Sequence, residues 1–151
     1  MDIRKATEDD FIEILYITKG FQGLVPTASN LNWSFGEPTE KQLIEAIAQN
    51  NVYVVSENLI LGVLQLQKSK STNNEDVILI HNFAIHPIGD RKNLGIFILE
   101  FAIGEAKNQQ ATTLSIHVSK NHSRCIEILN ILGFTNRSTE NQEALLFNKK
   151  L

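Results

Sequence analysis

The densest run of chemistry-bearing residues is Ile80-His81-Asn82-Phe83-Ala84-Ile85-His86-Pro87-Ile88-Gly89-Asp90-Arg91-Lys92-Asn93-Leu94-Gly95-Ile96-Phe97-Ile98-Leu99. An apolar run, a short polar loop and a second apolar run read as a strand feeding a helix, and the first turn of a helix presents unpaired N–H groups that suit a phosphate. The loop is neither a nucleotide P-loop nor a dinucleotide fingerprint, because none of the eight glycines forms Gly-x-Gly or precedes Lys-Ser/Thr. A strand, turn and helix of this kind equally describes a purely structural turn. His81 and His86 stand at odd spacing, so on a regular strand they face opposite ways and cannot share a metal ion. His117 and His122 lack cysteine or carboxylate companions at ligand spacing and read as surface or capping residues. Cys125 falls on an apolar stripe, which favours packing over nucleophilic catalysis. Trp33 and Phe35 could line an acceptor pocket or plug the core.

The elements that must position these residues follow from hydrophobic period. Ile3 to Ala6 reads as a short strand. Thr7 then caps Glu8-Asp9-Asp10, with Phe11, Ile14 and Leu15 at helical spacing and an end near Gly20. Pro38-Thr39-Glu40 opens a second helix through Leu43, Ile44, Ile47 and Ala48. Gly20 to Pro38 between them is an irregular stretch of a length that often carries function. From Val52 the pattern becomes strand-like, turns at Ser56-Glu57-Asn58 and continues through the alternating Leu64-Gln65-Leu66-Gln67. The polar segment Ser69 to Asp76 separates this hairpin from Val77 to Ile85, apolar enough for a central strand. Leu94 to Gln109 predicts a largely buried helix with Phe97, Ile98, Phe101 and Ala102 on one stripe. Leu114, Ile116 and Val118 alternate as the next strand; Cys125, Ile128, Leu129 and Leu132 mark a last helix closed by Gly133. Two strands complete the tail, the second at Ala144 to Phe147. The fold class is α/β, a mixed α+β sheet with helices on both faces in the order β-α-α-β-β-β-α-β-α-β-β.

Composition narrows the class. The 151 residues are 42% hydrophobic and 21% charged, with no repeat, linker or low-complexity tract, which reads as a single domain over residues 1–151. Fourteen basic against seventeen acidic residues give −3, so a dedicated nucleic-acid binder is disfavoured. Glu13 and Glu100 interrupt the two longest apolar stretches, and neither a signal peptide nor a membrane-spanning helix is expected. The single cysteine fits a reducing compartment, hence a cytoplasmic expectation.

With these residues in view, the sequence resembles the GNAT superfamily of acyl-CoA-dependent N-acyltransferases across almost the whole chain in element order. The family's Leu-Ala-Val-His-Pro strand end is similar to Phe83-Ala84-Ile85-His86-Pro87, and its pyrophosphate loop, Arg/Gln-x-x-Gly-x-Gly/Ala, falls on Asp90-Arg91-Lys92-Asn93-Leu94-Gly95. Its Asn-plus-helix motif ending Leu-Tyr-Glu-Lys-Leu-Gly-Phe is similar to Asn121 through Leu129-Asn130-Ile131-Leu132-Gly133-Phe134. Three positions depart from the pattern: Asp90 for a base or amide, Asn93 for the first glycine, and Leu129 for the tyrosine that is the usual general acid. Asn is the non-glycine residue that best tolerates a left-handed backbone, which preserves the expected loop geometry.

The resemblance implies a fold whose central strands splay to admit acetyl-CoA as co-substrate, with an amine acceptor entering from the opposite side and no metal. Phe83, Ala84 and Ile85 would offer backbone groups to the pantetheine arm, Arg91, Lys92, Asn93, Leu94, Gly95 and Ile96 would wrap the pyrophosphate, and Asn121 would hydrogen-bond the pantetheine. An N–H near Ile85 would donate to the oxyanion. Amine acylation needs a base for the departing proton, and the resemblance places His81 at the site that does this; the alternative for His81 is a satisfied histidine within a buried strand. The transfer would be direct, since no activated nucleophile is visible. A CoA-binding or regulatory module of weak chemistry is the second reading, carried by Leu129 and Asp90, and a purely structural interaction domain the third. The acceptor stays open among small amines, antibiotics, amino acids, peptides and proteins, and a homodimer is common among proteins that look like this one.

Overall fold

Strand β1 (Asp2–Lys5) delivers the chain to a cap that holds the first helical stretch in place. The Asp10 carboxylate accepts the Thr7 N–H at 2.8 Å and both guanidinium nitrogens of Arg4 at 2.7 and 2.8 Å. A single turn over Glu8–Asp10 runs into α1 (Phe11–Leu15) and then a wider turn over Tyr16–Gly20. This computed structural model describes residues 2–20, 33–35, 39–86, 93–138 and 144–151. They form β2 (Trp33–Phe35), α2 (Glu40–Ala48), β3 (Val52–Glu57), β4 (Leu59–Lys70), β5 (Asp76–Ile85), α3 (Leu94–Asn108), β6 (Thr113–Ser119), α4 (Ser123–Ile131), β7 (Thr135–Asn136) and β8 (Ala144–Lys150). The eight strands pair in the order β1-β3-β4-β5-β6-β8-β7, with β2 added on β5. The sheet is mixed, antiparallel throughout its described ladders except for the parallel β5–β6 pair. The expected element order therefore holds with one addition, β2, inside the stretch that reads as irregular from sequence.

The chain divides into two compact units, Met1–Gln65 with Asn82–Leu94 and Leu66–His81 with Gly95–Leu151. In the first, β1 lies on β3, and the β3–β4 hairpin turns at Asn58, whose φ of 68° is the left-handed conformation Asn tolerates. Thr39 caps α2 reciprocally with Gln42: the Gln42 N–H donates to Thr39 Oγ1 at 3.1 Å and the Thr39 N–H to Gln42 Oε1 at 3.0 Å. Ile14, Ile17, Leu43 and Ile47 pack on Val52, Val54, Ile60, Val63 and Ala84. Glu13 adds a polar tie, accepting the Ile60 N–H at 2.9 Å. Gln65, expected on the solvent side of an alternating strand, is instead 9% exposed, because its side-chain oxygen accepts a hydrogen bond from the Asn82 amide, itself 2% exposed.

In the second unit the parallel ladder pairs Val77–Ile80 with Thr113–Ile116, and β8 flanks the other edge of β6 from Thr113↔Lys150 to Ser119↔Ala144. The buried residues of α3 are Leu94, Gly95, Ile98, Leu99, Ala102 and Ala106, while Phe97, expected on the buried stripe, is exposed. The packed face thus runs through Ile98, Ala102 and Ala106 at four-residue spacing, and Phe97 precedes it by one position, a turn of about 100° away. In α4, Cys125, Ile128 and Leu129 are buried. Gly133 closes it at φ 88°, where an added Cβ would meet Lys149 Nζ at 2.8 Å; that ammonium donates to the Leu132 carbonyl at 2.8 Å. Among the described residues no helix is long and apolar enough to cross a membrane.

Candidate functional site

The end of β5 supplies backbone rather than side chains. Phe83, Ala84 and Ile85 are 0%, 1% and 2% exposed, so their side chains are packed away and the strand's backbone edges are what a ligand would have to pair with. The next residue, His86, donates its N–H to the Leu61 carbonyl at 2.8 Å, placing β4 on one edge of this segment. Burial holds the His86 imidazole below the usual histidine range. The second edge pairs with β2, with Trp33 opposite Ile85, Ser34 opposite Ala84 and Phe35 opposite Phe83.

The loop that follows lies partly outside the described residues, including Asp90, Arg91 and Lys92. Its last residue, Asn93, is described and has φ 56°. This is the left-handed conformation that glycine adopts freely and asparagine tolerates, at the position where the pyrophosphate-loop pattern has glycine. Leu94 is fully buried and opens α3, with Gly95 buried and Ile96 half-buried. The chain therefore makes the sharp turn that leaves the first N–H groups of α3 without intrahelical partners, a geometry suited to a diphosphate.

In the second unit, His81 is exposed. The β5–β6 ladder ends at Ile80↔Ile116, both buried, and His81 and His117 each follow on the opposite face of their own strand, beyond the last paired residues. His117 is likewise exposed, and its β8 partner is the half-buried Leu146. One position back on the same face, the Ser115 hydroxyl donates to Asn148 Oδ1 at 2.8 Å. His117 is thus a surface residue, as its lack of companions at ligand spacing predicts.

At α4 the capping residue is His122 rather than Asn121. His122 Nδ1 accepts the Cys125 N–H at 3.2 Å, while the exposed Asn121 donates its N–H to Ser119 Oγ at 3.3 Å. Burial pushes the Cys125 thiol up to about 12, so it stays protonated and inert at neutral pH. Leu129 is 0% exposed and belongs to the core. Among the described residues no group of three or more His, Cys, Asp or Glu could hold a metal ion.

No family model matches the sequence, and neither does any curated protein. Solved structures do match. The NatC complex bound to Gag peptide and CoA contains a chain that aligns with TM-score 0.77 at 13% identity, over 100% of this chain and 99% of that one. A GNAT-family acetyltransferase from Listeria monocytogenes aligns with TM-score 0.75 at 13% identity, over 99% and 94%. The fold is that of the GNAT acetyltransferases. A third GNAT-fold match, the Escherichia coli ribosomal-protein-S18-alanine N-acetyltransferase, has TM-score 0.70 at 18% identity over 99% and 92%. Identities this low carry the fold across and leave the chemistry to the residues described above.

Proposed function

We propose that this GNAT-fold chain, acting as one domain, is an N-acetyltransferase that moves an acetyl group from acetyl-CoA directly to a primary amine. The observation that carries the reading is Asn93 in the left-handed conformation at the head of α3, directly after β5 and its loop. Asparagine there takes the left-handed conformation that the glycine of the pyrophosphate-loop pattern would take. Arg91, Lys92, Asn93, Leu94, Gly95 and Ile96 wrap the pyrophosphate, Phe83, Ala84 and Ile85 meet the pantetheine by backbone, and Asn121 hydrogen-bonds it.

In the reaction the amine nitrogen forms a bond to the thioester carbonyl carbon, the C–S bond breaks, and CoA leaves as thiolate. His81 takes the proton the amine loses, directly or through one water, as its exposed position in the strand supports. With Leu129 in the core, its position supplies no general acid; a thiolate whose conjugate acid has pKa about 8.5 departs without one, more slowly. That same burial favours a second reading, a CoA-binding module of weak chemistry. Acetyl transfer to a panel of amines, assayed with wild type and His81→Ala, separates the two. The enzyme loses turnover and keeps acetyl-CoA affinity on substitution, whereas the module shows no turnover in either protein.

A further inference from the structure

A strand has two edges, and at the end of β5 both are taken. The His86 N–H donates to the Leu61 carbonyl, so β4 holds one edge. Backbone groups alternate along a strand, so Phe83 and Ile85 turn theirs away from β4, toward Phe35 and Trp33 of β2. A pantetheine arm that pairs with this backbone in the manner of an added strand needs that same edge. We propose that β2 is an exchangeable strand that closes the cofactor edge of β5 and must leave it before acyl-CoA can seat, a device that rests on the function proposed above.

The local structure suits that role. β2 has three residues and is followed in sequence by Gly36 and Pro38, residue types disfavoured within strands. So short a strand is released at far lower cost than global unfolding. Its partners on β5 are buried side chains, which leaves the backbone edge as the surface β2 and the cofactor compete for. Acyl-CoA then binds only the fraction of molecules in which β2 is off the edge, and its apparent affinity falls by that fraction. Because β2 lies between the first helical stretch and α2, whatever stabilises it off the edge raises cofactor affinity without touching the pyrophosphate loop.

The test is acetyl-CoA titration calorimetry on the whole chain, as wild type, Phe35→Pro and Phe35→Ala, together with amide exchange of wild type by NMR. Proline removes the N–H that faces Phe83, whereas alanine keeps the backbone pairing and controls for the lost ring. Phe35→Pro should bind roughly threefold tighter or more, in proportion to the closed population it removes, with Phe35→Ala close to wild type. In wild type, saturating acetyl-CoA should make the Trp33 and Phe35 amides exchange faster while Phe83 and Ile85 stay protected. Equal affinity in a folded Phe35→Pro, or Trp33 and Phe35 amides that stay protected in the acetyl-CoA complex, overturns the proposal and leaves the acetyltransferase reading standing. If Phe35→Pro does not fold, the wild-type exchange alone decides. Absence of acetyl-CoA binding in every variant overturns both, since β2 would then have no competitor.

Discussion

An imidazole serves amine acylation only where substrate can reach it, and His81 is an exposed histidine in the middle of β5. Substituting it with alanine should lower turnover by about 10²- to 10⁴-fold, the usual weight of a positioned base, with acetyl-CoA affinity unchanged by calorimetry. At the head of α3, Asn93→Ala places a methyl group on a backbone at φ 56° and should cost about 1 kcal/mol, lowering the unfolding midpoint by about 2–4 °C, while Asn93→Gly stays near wild type. Asp10 gives a pH-dependent counterpart. The Arg4 guanidinium holds its carboxyl down to about 2, below the unfolded value, so the stabilisation is complete above about pH 4 and fades toward pH 2. After allowance for solvent screening, Asp10→Asn should cost about 1 kcal/mol at pH 7, and the two unfolding curves should converge near pH 2.

The elements differ in how much of them the sequence discloses. Helix starts were legible from chemistry: Thr7 with Asp10 and Thr39 with Gln42 cap where their residue types say they should. The β3–β4 hairpin and the central β5 were legible from period and apolar density. β2 was not, since three residues carry no period and its partner lies far along the chain. The Gln65 side chain was misplaced for a related reason, as its Asn82 partner sits on the neighbouring strand and alternation alone sends a glutamine to solvent. That pair makes an energetic prediction. Gln65→Ala leaves the buried Asn82 amide without its acceptor and should cost about 1–3 kcal/mol, whereas Gln65→Leu with Asn82→Leu together should cost markedly less than the sum of the singles in urea unfolding. Within the site, the Asn93 turn could be anticipated from residue type.

For the whole molecule, fold and activity stand on different footings. Chains of 13–18% identity share the GNAT topology over nearly their full length, so the fold tolerates wide exchange of its residues. The departures at Asp90, Asn93 and Leu129 bear on cofactor and catalysis rather than on topology. The most direct test of the central claim is therefore the unfolding midpoint with and without acetyl-CoA. At a hundredfold excess over its dissociation constant the ligand should add about 2.7 kcal/mol and raise the midpoint by about 5–10 °C. A shift of that size supports a working acyl-CoA site on this fold; an unchanged midpoint at millimolar acetyl-CoA contradicts both the acetyltransferase and the CoA-module readings.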